Sequence, residues 1–303
     1  MKQNFYKIFF LSVLLFSFLR APAQPAALVF QSDFGLKDGA VAAMKGVAYA
    51  VSSELRMFDL THEIPSFNIW EAAYRLQQAA PYWPAGTVFV SVVDPGVGSE
   101  RKSVVLKTQS GHYFVSPDNG TLTLVAEVLG IGEVREIDEA KNRLKNSEKS
   151  YTFHGRDVYA YTGAKLAAGT MTFGEVGPLL PAQVEHLRYQ KPERIQDEIR
   201  GNIPILDIQY GNVWTNIDRT MLQSLGVAFG DKLRVRIWHN QKLVFDGEVP
   251  FVRTFAEVGI SQNLAYLNSL LNFSLGVNQG NFSERNKIYS GAEWNISIQK
   301  IKN

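Results

Sequence analysis

Apolar and polar positions follow two different rhythms along this chain. Up to about residue 180, short apolar runs alternate with stretches of helical spacing. Residues 27–31 (ALVFQ), 56–60 (RMFDL) and 86–93 (GTVFVSVV) read as strands of buried type, each running into a polar loop. Residues 102–107 and 112–116 predict a hairpin-like strand pair. Between them, residues 39–51, 68–80, 121–129 and 155–168 carry helical spacing, and the second of these stops before Pro81. Strands alternating with helices predict an α/β domain with a central, mostly parallel sheet.

Beyond residue 180 the rhythm changes. Pro178, Pro181 and Pro192 bracket a polar stretch that reads as a linker over 183–200. From 201 onwards, residues 203–208, 233–238, 242–245, 273–277 and 296–301 alternate apolar and polar side chains. That is period-two strand chemistry, and it predicts a small antiparallel β domain over 201–303. The N-terminus is different again. Lys2 and Lys7 precede an apolar run over 8–19, and Ala21-Pro22-Ala23 forms a small-residue cleavage pattern before Gln24. Residues 1–23 therefore read as a secretory signal peptide. Twelve helical residues reach about 18 Å, short of the ~30 Å hydrocarbon core, so an anchor is disfavoured. The expected mature chain is periplasmic or secreted, free of the membrane, with its α/β domain over 24–182.

Composition narrows the chemistry. At 303 residues the chain has room for two domains. It has no cysteine, which removes disulfide scaffolds, thiolate metal sites, iron–sulfur clusters and cysteine nucleophiles together. Lys and Arg total 31 against 29 Asp and Glu. Loss of Lys2, Lys7 and Arg20 with the signal peptide leaves 28 against 29, so the mature net charge is −1. No basic excess or basic run marks a nucleic-acid partner.

In α/β sheets ligands bind at the carboxyl ends of strands. Three predicted strand ends carry acids or other polar groups: Asp33, His62-Glu63 and Asp94. Asp94 opens the tight loop VDPGVGSER, which Arg101 closes. A second polar cluster, TFHGRD over 152–157, offers His154 beside Gly155. Each has a plain structural reading, as a turn cap, an ion pair or a satisfied histidine. The Gly-rich loop lacks both phosphate-binding patterns, no nucleophile elbow is present, and the remaining histidines lack metal-ligand spacing, so no metal is expected. These residues alone indicate an α/β enzyme with an Asp/Arg/His site.

The motifs carry more when taken in order: SDFG-x-x-D (32–38), MKG (44–46), DLTHEIP (59–65), VDPGVGSER (93–101), SPDNG (116–120), TFHGRD (152–157) and GNVWTNI (211–217). This series resembles the S-adenosyl-L-methionine (SAM) hydroxide adenosyltransferases, which are similar to the bacterial fluorinase and chlorinase. The resemblance spans about residues 27–300. It implies an N-terminal α/β domain joined to a small C-terminal β-barrel. It implies a homotrimer, with SAM held between the N-domain of one subunit and the C-domain of its neighbour. It implies attack of water on C5′ of the ribose, giving adenosine and L-methionine, with SAM as substrate and no cofactor. Asp94, Arg101 and His154 match the water-holding triad, Asp33 the ribose-diol acid, and Asp38 an acid near the methionine amino group. Asp207, Tyr210, Asn212 and Trp214 match the adenine and methionine surroundings, and Ser269 a residue near the methionine carboxylate. Leu270-Leu271 stand where a small residue or Gly is expected. Where the halogenating relatives carry an aromatic hydroxyl and a serine, this chain carries Asp94 and Gly155, which favours water over halide. Two other readings are a non-catalytic exported SAM- or nucleoside-binding protein and a SAM-dependent halogenase.

Overall fold

Residues 26–301 are described by a computed structural model. The expected signal peptide, residues 1–23, lies outside them. The first half contains β1 (Ala27–Ser32), α1 (Ala40–Val51), β2 (Arg56–Thr61), α2 (Ile69–Ala79), β3 (Val88–Val92), β4 (Ser103–Thr108), β5 (Tyr113–Pro117), α3 (Thr123–Leu129), β6 (Ile131–Glu136), α4 (Glu139–Asn142), α5 (Tyr161–Ala167) and β7 (Leu179–Leu180). The strands form one sheet in the order β2-β1-β3-β5-β4-β6-β7. β2, β1, β3 and β5 pair in parallel, whereas β4, β6 and β7 join by antiparallel pairing. Only β4 and β7 therefore run against the common direction.

Period-two alternation distributes the side chains of this sheet to two faces. Leu28, Phe30, Val88, Val90, Val105 and Val115 share a core with Met44 and Ala48 of α1 and Ala164 of α5. Val29, Phe89, Val104, Leu106 and Phe114 share the opposite core with Leu76 of α2 and Val125 of α3. Both faces are covered, which explains why β1 and β3 are predominantly apolar and buried at every residue, with Gln31 and Ser91 paired to each other at 2.9 Å. α2 starts where Asn68 accepts the Glu71 N–H at 2.9 Å, an N-cap that satisfies an otherwise unpaired donor.

The predicted helix over 155–168 is not uniform. It opens as a π-helical turn, Gly155–Ala160, and becomes α-helical only at Tyr161. Such widened turns occur mostly at functional sites.

The second half contains β8 (Glu193–Ile195), β9 (Glu198–Asn202), β10 (Ile205–Asp207), β11 (Asn212–Asp218), α6 (Arg219–Ser224), β12 (Lys232–His239), β13 (Lys242–Pro250), β14 (Asn263–Leu267), β15 (Asn272–Val277), α7 (Phe282–Asn286) and β16 (Trp294–Lys300). Two antiparallel sheets, β10-β11-β15-β14 and β13-β12-β16-β9-β8, enclose one apolar core that includes Ile199, Val213, Val235, Phe251, Phe273 and Ile298. β8 and the start of β9 fall within 183–200 and pair in the second of these sheets. The halves meet through Tyr74, Leu124, Tyr189, Ile205 and Trp214, and the Trp70 indole N–H donates to the Pro204 carbonyl at 2.8 Å.

Candidate active site

The carboxyl ends of β1 and β3 lie side by side because the two strands pair in parallel, Ser32 opposite Val92. Each runs directly into its polar loop, which brings Asp33 and Asp94 together although 61 positions separate them in sequence. The widened turn at 155–160 adds His154 and Gly155. The result is a cavity of about 240 Å³ lined by Asp33, Phe34, Ser66, Phe67, Val92, Asp94, Val97, Thr152, His154 and Gly155.

Arg101 stands behind Asp94. Its Nε donates to Asp94 Oδ1 at 2.8 Å and its Nη2 to Oδ2, a two-pronged ion pair with both side chains largely buried. Arg101 Nη1 also donates to Ser103 Oγ at 3.1 Å, and that oxygen lies 3.1 Å from the Tyr159 hydroxyl. Burial works against the guanidinium charge, but the bond to Asp94 and the nearby acidic groups together outweigh it and hold Arg101 above its ordinary pKa. Burial likewise pushes the Tyr159 phenol up, so Tyr159 stays neutral.

His154 is buried, at 8% exposure. Arg143 Nη2 lies 3.5 Å from its Nε2, and Glu139 Oε2 lies 3.9 Å from the same nitrogen and 3.5 Å from Arg143. Burial lowers the imidazole pKa below its usual value, and the charges of Arg143 and Arg101 act in the same direction. Glu139 and Asp94 oppose them without reversing the shift. The ring is therefore neutral at pH 7. A neutral imidazole beside a fixed carboxylate can hold a water and take a proton from it.

Gly155 has a packing reason. A Cβ there would lie 3.0 Å from the Phe34 ring and 3.4 Å from Val92. Asp33 accepts the Phe67 N–H at 2.9 Å, with Phe67 in the left-handed region at φ 69°. Asp38 does not line this cavity; it is exposed and accepts the Ala40 N–H at 2.9 Å, at the start of α1. Neither do His62 and Glu63.

The C-terminal candidates gather elsewhere. A cavity of about 580 Å³ is lined by Gln209, Tyr210, Asn212, Phe255, Val277, Gln279, Gly280 and Asn281. Asp207 accepts from the Asn212 side-chain amide at 3.1 Å, and its carbonyl closes the turn by accepting the Gly211 N–H at 2.7 Å. Gly211 sits at φ 68°, where a Cβ would overlap the Asn281 amide. Trp214 lies outside this cavity, packed at the junction of the two halves. Ser269 is exposed, in a turn where the Asn268 side chain accepts the N–H groups of Leu270 and Asn272. Leu271 takes the left-handed conformation there, at φ 60°, a position that normally suits Gly. The two cavities share no residue within one chain.

Phe67, Glu139, Arg143, Phe255, Gln279 and Asn281 were outside the sequence reading. Arg143 and Glu139 carry no motif and reach His154 only because the 139–144 segment lies beside the widened turn, where the Leu144 N–H donates to the Asp157 carbonyl at 2.8 Å. Among the described residues, no cluster of three or more His, Asp or Glu side chains is arranged to hold a metal ion.

Both halves of the chain match known proteins. Residues 28–177 match the model of the SAM hydroxide adenosyltransferase N-terminal domain, and residues 201–295 that of its C-terminal domain. The chain is 36% identical over 235 residues to an (R)-S-adenosyl-L-methionine hydrolase of Methanocaldococcus jannaschii, covering 76% of this chain and 80% of that one. It is 33% identical over 261 residues to a protein of the same name from Thermus thermophilus (84% and 93% covered) and 30% identical over 298 residues to a fluorinase of Nocardia brasiliensis (90% and 95%). The crystal structure of an uncharacterized conserved protein from Thermotoga maritima superposes with a TM-score of 0.82 at 34% identity, covering 90% of this chain and 99% of that one. With both halves matched in order, and with the acid, the guanidinium and the imidazole gathered at the strand ends, the chain belongs to the SAM hydroxide adenosyltransferase family.

Proposed function

We propose that this protein hydrolyses S-adenosyl-L-methionine to adenosine and L-methionine. The observation that carries the reading is the Asp94–Arg101 ion pair facing neutral His154 across one small cavity that Asp33 also lines. A sulfonium is already a good leaving group, so no acid is needed at sulfur. The oxygen of one water bonds to C5′, the C5′–S bond breaks, and its electron pair neutralises the sulfonium as the thioether of methionine. One proton is released. Each Asp94 oxygen keeps a lone pair beyond its bond to Arg101 and can accept from the water, aiming it at C5′. His154 takes the proton. Holding the water in line substitutes for a bimolecular encounter, an effect worth about 7–11 kcal/mol in favourable cases. Asp33 accepts from the ribose hydroxyls.

The relatives are named for the (R) sulfonium epimer, and we take the same epimer as substrate here. The Tyr210–Asn212 cavity supplies flat and polar contacts suited to adenine. We place it, through a homotrimer, against the Asp33–His154 cavity of a neighbouring subunit. Support comes from the two cavities being separate within one chain and from the exposure of Tyr210, Phe67 and Ile208. Residues 1–23 support export.

Incubation with each SAM epimer, followed by chromatography, tests the reading. Adenosine and methionine in equal amounts from the (R) epimer support it; binding without turnover of either epimer favours the non-catalytic alternative.

A further inference from the structure

Residues of three sequence motifs have no part in the chemistry above: the serine of SDFG, the lysine of MKG, and the aspartate and histidine of DLTHEIP. The fold joins them. Ser32 Oγ lies 2.7 Å from His62 Nδ1, His62 Nε2 lies 3.1 Å from Asp59 Oδ1, and Lys45 Nζ donates to Asp59 Oδ2 at 2.6 Å. The chain thus crosses from α1, through the end of β2, to the last residue of β1.

The order Ser–His–Asp suggests a nucleophilic triad, but Ser32 is fully buried and its Oγ already accepts the Phe34 N–H at 3.3 Å. The other end of the relay is anchored at the surface, with Lys45 and Asp59 about a third exposed. His62 itself is 3% exposed. Its backbone adds a second hold, because the His62 carbonyl accepts the Gly35 N–H at 2.7 Å. The turn Asp33-Phe34-Gly35 is therefore clamped on both sides by one histidine: through Ser32 to Phe34 N–H, and directly to Gly35 N–H. Asp33 and Phe34 are the two residues of that turn lining the Asp94–His154 cavity.

We propose that Ser32, His62, Asp59 and Lys45 are positioning residues, a buried hydrogen-bond relay that fixes the Asp33-Phe34 turn so that the Asp33 carboxylate meets the ribose hydroxyls. The role rests on the ribose assignment of Asp33 made above. A carboxylate that must accept from two neighbouring hydroxyls tolerates little displacement, since hydrogen bonds weaken steeply with angle. Networks of this kind hold a side chain more tightly than their single links would.

The test compares adenosine with 2′,3′-dideoxyadenosine, measured by calorimetric titration of the full mature protein. The ratio of the two affinities reports the ribose contacts alone. We expect the wild type to favour adenosine by about tenfold or more, the scale of one charge-assisted hydrogen bond. In Ser32→Ala and His62→Gln that preference falls to within about threefold, while 2′,3′-dideoxyadenosine binds as in the wild type. Lys45→Met, altered at the exposed end, gives a smaller fall in the same direction and guards against loss of folding in the buried variants. A merely structural role would lower the melting temperature and weaken both ligands alike. An unchanged ratio in all three variants, with Asp33→Ala collapsed, overturns the relay. An unchanged ratio in Asp33→Ala overturns the ribose assignment itself, and the relay's role with it.

Discussion

At the scale of single residues, the candidate site holds its charges in fixed positions, Asp94 being paired with Arg101 on both oxygens. His154→Ala should lower kcat by about 10²–10⁴-fold, the usual contribution of a general base, while adenosine still binds. Adenosine release and titration calorimetry check the two halves of that statement; near wild-type turnover would remove His154 from the mechanism. The imidazole also sets a pH dependence. In the unfolded chain it titrates near 6.5, and in the fold it titrates lower, burial being the main cause and Arg143 and Arg101 adding to it. Its contribution to stability is therefore complete above about 6.5 and is lost as pH falls from there towards the folded value. Arg143→Met removes one of the charges that lower this pKa, so the acid limb of kcat should move to higher pH. A limb that stays in place would show that Arg143 does not govern the histidine. Gly155 gives the sharpest steric case. Its missing Cβ leaves room for Phe34 at 3.0 Å. Gly155→Ser should displace that ring and cost activity without producing any halogenated nucleoside. Chromatography of the reaction in concentrated chloride tells the outcomes apart.

At the scale of elements, most of the site's frame was legible in the sequence. The runs leading to Asp33 and Asp94 are mostly apolar because β1 and β3 are covered on both faces, and such strands announce themselves. α2 was readable from both ends, with Asn68 before it and Pro81 after it. Asn68→Ala should remove its N-cap and lower stability by about 1 kcal/mol, visible as a small fall in melting temperature with kcat unchanged. Other elements gave weaker signals. β6, IGEVRE, is charged and only partly buried, so no alternation marks it. β8 is exposed throughout and sits in what reads as a linker; tertiary pairing with β9, not its own composition, makes it a strand. The π-helical turn at Gly155 has the same helical spacing as the α5 segment that follows, so spacing alone does not distinguish the two. Arg143 and Glu139 were silent for a related reason: their approach to His154 depends on how α4 docks, which local sequence does not encode.

At the scale of the whole molecule, one chain carries two separate cavities. The cavity with Asp33, Asp94 and His154 belongs to the α/β half, and the cavity with Tyr210 and Asn212 to the β half. If neighbouring subunits complete each other, inactive variants altered in different halves should rescue one another. Co-expressed His154→Ala and Asn212→Ala chains should regain activity, since roughly a quarter of sites in randomly mixed rings combine two intact halves. No rescue in a mixed oligomer would place each site within a single chain. Water, held by Asp94 and giving its proton to His154, is the proposed nucleophile at C5′. The most direct measurement is mass spectrometry of the nucleoside formed from SAM in ¹⁸O-labelled water with chloride in large excess. Adenosine carrying one ¹⁸O at its 5′ oxygen is expected as the only nucleoside product. Unlabelled adenosine, or 5′-chloro-5′-deoxyadenosine in comparable amount, would contradict it.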